Sequence, residues 1–101
     1  MTYAFIQDVP LDLETYGKIT AKLDRGPMPG LLMHLCIRRE DGGLRYIDVW
    51  ESEEACGRTF DEFVHPAVYS TFADMGFTPD GEPSKTNIEI LDVRMGPDAR
   101  R

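Results

Sequence analysis

Two apolar runs, "LLMHLCIRR" (31–39) and "LRYIDVWE" (44–51), stand either side of "EDGG" (40–43). Asp-Gly between strand-like runs is a hairpin signal, because glycine adopts positive φ without steric cost and lets the chain reverse within a few residues. Positions 31–51 are therefore expected to form two adjacent antiparallel strands. The rest of the chain must be arranged around this hairpin.

Upstream, "TYAFIQDV" (2–9) has the aromatic and β-branched content of a strand, ended by Pro10. A helix follows: Asp12 can cap its free amides, and Leu13, Tyr16, Ile19 and Leu23 recur every three or four residues. "DRGPMPG" (24–30) stops it. Downstream, Ser52 can cap a second helix carrying Ala55, Phe60, Phe63 and Val64 on its apolar positions. Pro66 is expected to force a local break or a fresh helix start, "AVYSTFADMG" to form a helical turn or two, and Gly76 to end it. "TNIEILDVRM" (86–95) alternates as a last strand.

The order β-α-β-β-α-β predicts an α+β, ferredoxin-like fold: a four-stranded antiparallel sheet with both helices on one face. Residues 1–95 then make one domain, and 96–101 a flexible tail. Alternation puts Leu32, His34 and Cys36 on one side of the second strand, and Leu31, Met33, Leu35 and Ile37 on the other. On the third strand Ile47 and Val49 oppose Tyr46, Asp48 and Trp50. Both faces carry large apolar residues, yet helices cover only one. A second copy is therefore expected on the bare face, giving a homodimer.

Charge narrows the partners. Eighteen acidic against 11 basic residues give a net charge of −7. Such a surface repels phosphate backbones and anionic membranes, so neither nucleic acid nor membrane is expected as a partner. The N-terminus lacks a basic, then apolar, leader pattern, and Cys36 and Cys56 stand far apart as two reduced thiols, which points to the cytoplasm. No dinucleotide or Walker glycine pattern, no zinc spacing and no Gly-x-Ser-x-Gly elbow occurs. No cofactor or metal is expected.

"DVWESEEACGRTFDEFVHPAVYSTFADMGF" followed by "EPSKTNIEILDV" resembles the dimeric α/β-barrel proteins, and among them the antibiotic biosynthesis monooxygenase-like group. The likeness lies in the strand ending "VWES", the helix after it, His65-Pro66, the Gly-Phe loop and the closing strand. It implies a dimer of face-to-face sheets with a cavity between each sheet and its helices. Relatives include cofactor-independent oxygenases of aromatic polyketides, haem degraders, lactone isomerases and proteins of no known activity. Haem degraders of this type place an Asn on the first strand and a Trp and a His on the second helix. Here the corresponding positions hold Gln7, Phe60, and Ser70 or Thr71, so haem degradation is not implied. The polyketide oxygenases use an Asn beside Trp and Tyr. Asn87 is the one Asn of this chain and falls on the last strand, so no residue role transfers directly.

The candidate site is then read from the residues themselves. His34 lies mid-strand among apolar neighbours; it is either a proton acceptor working near neutral pH or a hydrogen-bonded core histidine. Asp48 can orient it if the hairpin register puts the two side by side. Trp50 either stacks on a flat ligand or fills core. Tyr46 joins these as a ligand-binding residue, with Tyr69 and His65 at the mouth of the cavity; His65 is otherwise a helix-end histidine favoured by the dipole. Two readings follow: a cofactor-independent monooxygenase or related small enzyme acting on a hydrophobic aromatic compound, with His34 and Asp48 catalytic, or a non-catalytic dimeric ligand-binding or accessory protein using the same cavity.

Overall fold

The structure is a computed structural model and describes residues 2–23, 28–79 and 81–97. Its elements run β1 (Tyr3–Val9), α1 (Leu13–Leu23), β2 (Leu31–Arg38), β3 (Leu44–Trp50), α2 (Glu53–Thr59), a π-helical turn (Phe60–Val64), α3 (His65–Asp74) and β4 (Lys85–Ile88). The sheet order is β2-β3-β1-β4 with every neighbour antiparallel, the ferredoxin-like arrangement expected from the sequence. The hairpin closes as anticipated: the Gly42 amide donates to the Arg39 carbonyl, the Arg39 amide to the Gly43 carbonyl, and Gly42 takes φ +91°. A three-residue loop with glycine in the left-handed position matches the twist of the strands it joins.

Local chemistry sets the helix ends. The Thr15 amide donates to Asp12 Oδ1 at 2.8 Å, and the Ala55 amide to Ser52 Oγ at 3.1 Å, so both expected N-caps form. At the end of α3 the Phe77 amide reaches the Phe72 carbonyl and the Gly76 amide the Ala73 carbonyl. Gly76 has φ +72°, and the Phe72 and Phe77 rings meet edge to face at 5.1 Å. This is a Schellman cap with its apolar contact.

Of the two outcomes expected at Pro66 the fresh start is the one found, since Pro66 stands in the first turn of α3 and the chain stays helical through a π turn. The His65 amide donates to the Phe60 carbonyl, five residues back, and this wider turn absorbs the missing Pro66 N–H and its ring, so α2 continues into α3. Three sequence expectations are corrected. His65 is consequently mid-helix, not at a helix end, and the dipole role falls away. β4 is four residues long, not ten: Ile88 already pairs with Ala4, near the start of β1, so residues beyond 88 have almost no strand left to pair with. Finally, a bulge between Leu31 and Met33 turns Leu31 to the helix side, where it packs with Phe5, Trp50 and Cys56.

The core is small and lies at one end of the layer between sheet and helices. Phe5 and Trp50 are fully buried, with Cys56 between them and Tyr3, Met28, Leu31 and Phe60 around. α2 rests on β3, and α1 leans on α3. Away from that core the helices stand off the sheet and leave a cleft.

Candidate functional site

Strand alternation delivers the site. Tyr46, Asp48 and Trp50 of β3 point to the helix side, as do Phe5, Gln7 and Val9 of β1. The hairpin register sets His34 directly opposite Asp48, and Cys36 opposite Tyr46. α1 faces them with Tyr16. The residues enclose a cleft of about 1390 Å³ whose wall is mostly apolar, including Ile19, Leu31, Phe60, Val68 and Phe72. That is roomy for a flat multi-ring compound, since pockets for drug-sized ligands run about 300–1,000 Å³.

Four side chains form one hydrogen-bonded row along this wall. The Trp50 indole Nε1–H donates to Asp48 Oδ2 at 3.1 Å. Asp48 Oδ1 lies 2.5 Å from His34 Nδ1, and His34 Nε2 lies 2.8 Å from the Tyr16 hydroxyl. Asp48 is 4% exposed and Trp50 not at all. A carboxylate only accepts, so His34 donates to Asp48 through Nδ1–H, and with the imidazole neutral Nε2 accepts from Tyr16. The imidazole is thereby fixed in orientation and tautomer, with its basic nitrogen turned away from Asp48.

The neighbouring groups stay neutral. Burial, followed by the adjacent Tyr16, Cys36 and Asp48, pushes the Tyr46 phenol far above its ordinary range, so it remains a hydroxyl donor. Burial also raises the Cys36 thiol, against a smaller opposing effect from the Tyr16 hydroxyl. The Cys56 thiol is pushed up to about 11, again chiefly by burial. Neither cysteine offers a thiolate nucleophile near neutral pH.

The sequence-derived residues divide into two groups. His34, Asp48, Tyr46 and Trp50 meet at one end of the cleft. Trp50 contributes its N–H rather than an open ring face, because its ring is enclosed by core neighbours such as Phe60 at 5.7 Å. His65 and Tyr69 line the same cleft from α3, their rings 5.9 Å apart and Tyr69 more than half exposed. His65 Nε2 is 3.4 Å from Glu82 Oε1, and Nδ1 is 3.5 Å from Asp61 Oδ1. Two residues of this site were not singled out from the sequence as functional: Tyr16, and Gln7, whose Nε2 donates to the Pro83 carbonyl at 2.8 Å. A signal for Tyr16 was present. A phenol on the apolar face of a helix needs a hydrogen-bond partner, and the facing strands offer His34, Tyr46 and Asp48.

Among the described residues no cluster of three or more His, Cys, Asp or Glu could hold a metal, and no helix is long and apolar enough to cross a membrane.

Neither a protein-family model nor a curated protein sequence matches the chain. Solved structures do. A candidate antibiotic biosynthesis monooxygenase from Caulobacter crescentus superimposes with a TM-score of 0.63 at 15% identity, over 90% of this chain and 91% of that one. A second candidate of that kind, from Chloroflexus aurantiacus, gives 0.63 at 15% identity over 94% and 98%. The chain has the antibiotic biosynthesis monooxygenase-like fold. Rv0793 from Mycobacterium tuberculosis shares it, with a TM-score of 0.57 at 17% identity over 94% of this chain and all of that one. At such identities the likeness is one of fold. In this monooxygenase-like fold the cleft lies between sheet and helices, and the chemistry within it is read from this chain's own side chains.

Proposed function

We propose that the chain is a cofactor-independent monooxygenase acting on a hydrophobic polycyclic phenol held in the cleft. The observation that carries this reading is the Asp48–His34 pair set in the wall of a large apolar cavity. Asp48 orients the imidazole and stabilises the cation that forms when His34 takes a proton. Loss of its proton makes a phenol electron-rich enough to pass one electron to dioxygen. The resulting radicals join at a ring carbon, the hydroperoxide loses water, and a quinone remains. One oxygen atom enters the product, the other leaves as water, and the proton held by His34 returns to that water. The apolar wall favours a flat aromatic ligand and limits water.

We also propose that two copies pair through the bare sheet face. Leu35 and Ile37 stand there 45% and 43% exposed, beside Ile6 and Ile47 in register. A specific contact would bury more than about 1,000 Å² in total. The test of the function is oxygen uptake by the full-length chain with polycyclic phenols, without added flavin or metal. Uptake that falls about 10²- to 10⁴-fold in His34→Gln supports the reading. If no phenol is consumed although phenols bind, the protein is a binding or accessory module of the same fold.

A further inference from the structure

Both ring nitrogens of His34 are engaged. Nδ1 faces Asp48, and Nε2 faces the Tyr16 hydroxyl at 2.8 Å. Each nitrogen of the base is thus covered by a partner, and both His34 and Tyr16 line the cleft. The group that sits on Nε2 is the Tyr16 hydroxyl, so a proton bound for that nitrogen passes it. The ring of Tyr16 is held in place, nearly coplanar with the His34 ring it meets through that hydrogen bond and tilted against Tyr46 at 5.6 Å. The Cys36 thiol beside it is kept protonated by burial and does not compete as a base.

We propose that Tyr16 is a catalytic residue that relays the substrate proton to His34. This rests on the oxygenase reading above. As the substrate's acidic bond breaks, its proton goes to the Tyr16 oxygen, and the Tyr16 hydroxyl proton goes to His34 Nε2. The substrate is left as an enolate or phenolate. Tyr16 is unchanged, and the positive charge rests on an imidazolium paired with the Asp48 carboxylate. No electrons are transferred in this step, so it runs without oxygen. The relay also places the acidic group of the substrate at the α1 side of the cleft, where Tyr16 stands.

Anaerobic proton exchange isolates the step. Anthrone, the keto tautomer of a tricyclic phenol, is incubated with the full-length protein in deuterated buffer, and deuterium entry at its methylene is followed by mass. Wild type should accelerate exchange over buffer. Tyr16→Phe and His34→Gln should each slow it by roughly 10²-fold, and the double variant should be no slower than either, because the two residues act as one unit. A fluorinated tyrosine at position 16, which keeps the hydroxyl, should restore most of the rate, which a merely structural ring would not require. If Tyr16→Phe exchanges as fast as wild type while His34→Gln does not, His34 takes the proton directly and the relay is wrong, with the oxygenase reading intact. If wild type gives no acceleration, the oxygenase reading fails and the relay with it.

Discussion

The two faces of the sheet differ in what their apolar residues surround. The helix-covered face, which is the more enclosed, holds the polar row Asp48, His34 and Tyr46, met by Tyr16 from α1. The bare face, which is open, holds Ile6, Met33, Leu35, Ile37 and Ile47, relieved by Asp8 with Arg45. A lone folded domain gains nothing from this distribution. Enclosed polar groups cost about 1–3 kcal/mol each unless paired, and exposed apolar ones forgo burial. The covered face offsets its cost with hydrogen bonds and a cleft; the bare face gains if a second copy covers it.

The largest effect is expected at Asp48. Asp48→Asn replaces one of two acceptor oxygens with an N–H, so either His34 Nδ1–H or the Trp50 N–H loses its acceptor, and the negative charge that stabilises the imidazolium is gone. Oxygen uptake should fall about 10²- to 10⁴-fold while the protein stays folded. Retained activity would show that the covered face is polar for structural reasons only. Trp50→Phe removes the indole donor to Asp48 and leaves a void in the core. A loss of about 2–3 kcal/mol is expected, seen as a lower midpoint of thermal unfolding. On the bare face Leu35→Lys should weaken self-association by at least about tenfold in sedimentation, with oxygen uptake per folded chain largely retained. A wild type that sediments as a monomer would break the comparison from that side.

The smallest effect concerns Asp8. Hydrogen bonds from Arg45 first, and from Arg39, hold its carboxyl at about 2, below the ordinary carboxylate range. A depressed folded value means that its contribution is complete above about pH 4 and is lost as pH falls toward about 2. Asp8→Asn should therefore flatten the acid limb of the stability curve in that window and leave the limb above about pH 5 unchanged. Urea unfolding at a series of pH values measures it.

The hairpin made much of this legible in the sequence. Once Asp41-Gly42 sets the turn, period-two alternation puts Tyr46, Asp48 and Trp50 on one face, and the register brings His34 to Asp48. Tyr16 was harder to see because its spacing with Ile19 and Leu23 is that of any apolar helix face, and only the distance between α1 and the sheet reveals what its hydroxyl meets. Leu31 falls on the other side from the one its alternation gives because the bulge adds one residue after it, which a period-two pattern does not show. Pro66 marks the start of α3 in the sequence, but the π turn that joins it to α2 has no proline or glycine signature of its own. β4 was read as too long because its alternation continues past the point where β1 can pair with it.

On the proposed function, His34 and Asp48 serve oxygen insertion into an aromatic ligand. Turnover of a polycyclic phenol under heavy-isotope dioxygen, with no added flavin or metal, tests it most directly. The account predicts one heavy oxygen atom per quinone formed by the wild type, and almost no product from His34→Gln or Asp48→Asn. A quinone whose new oxygen comes from water, or equal labelled product from wild type and both variants, would contradict it.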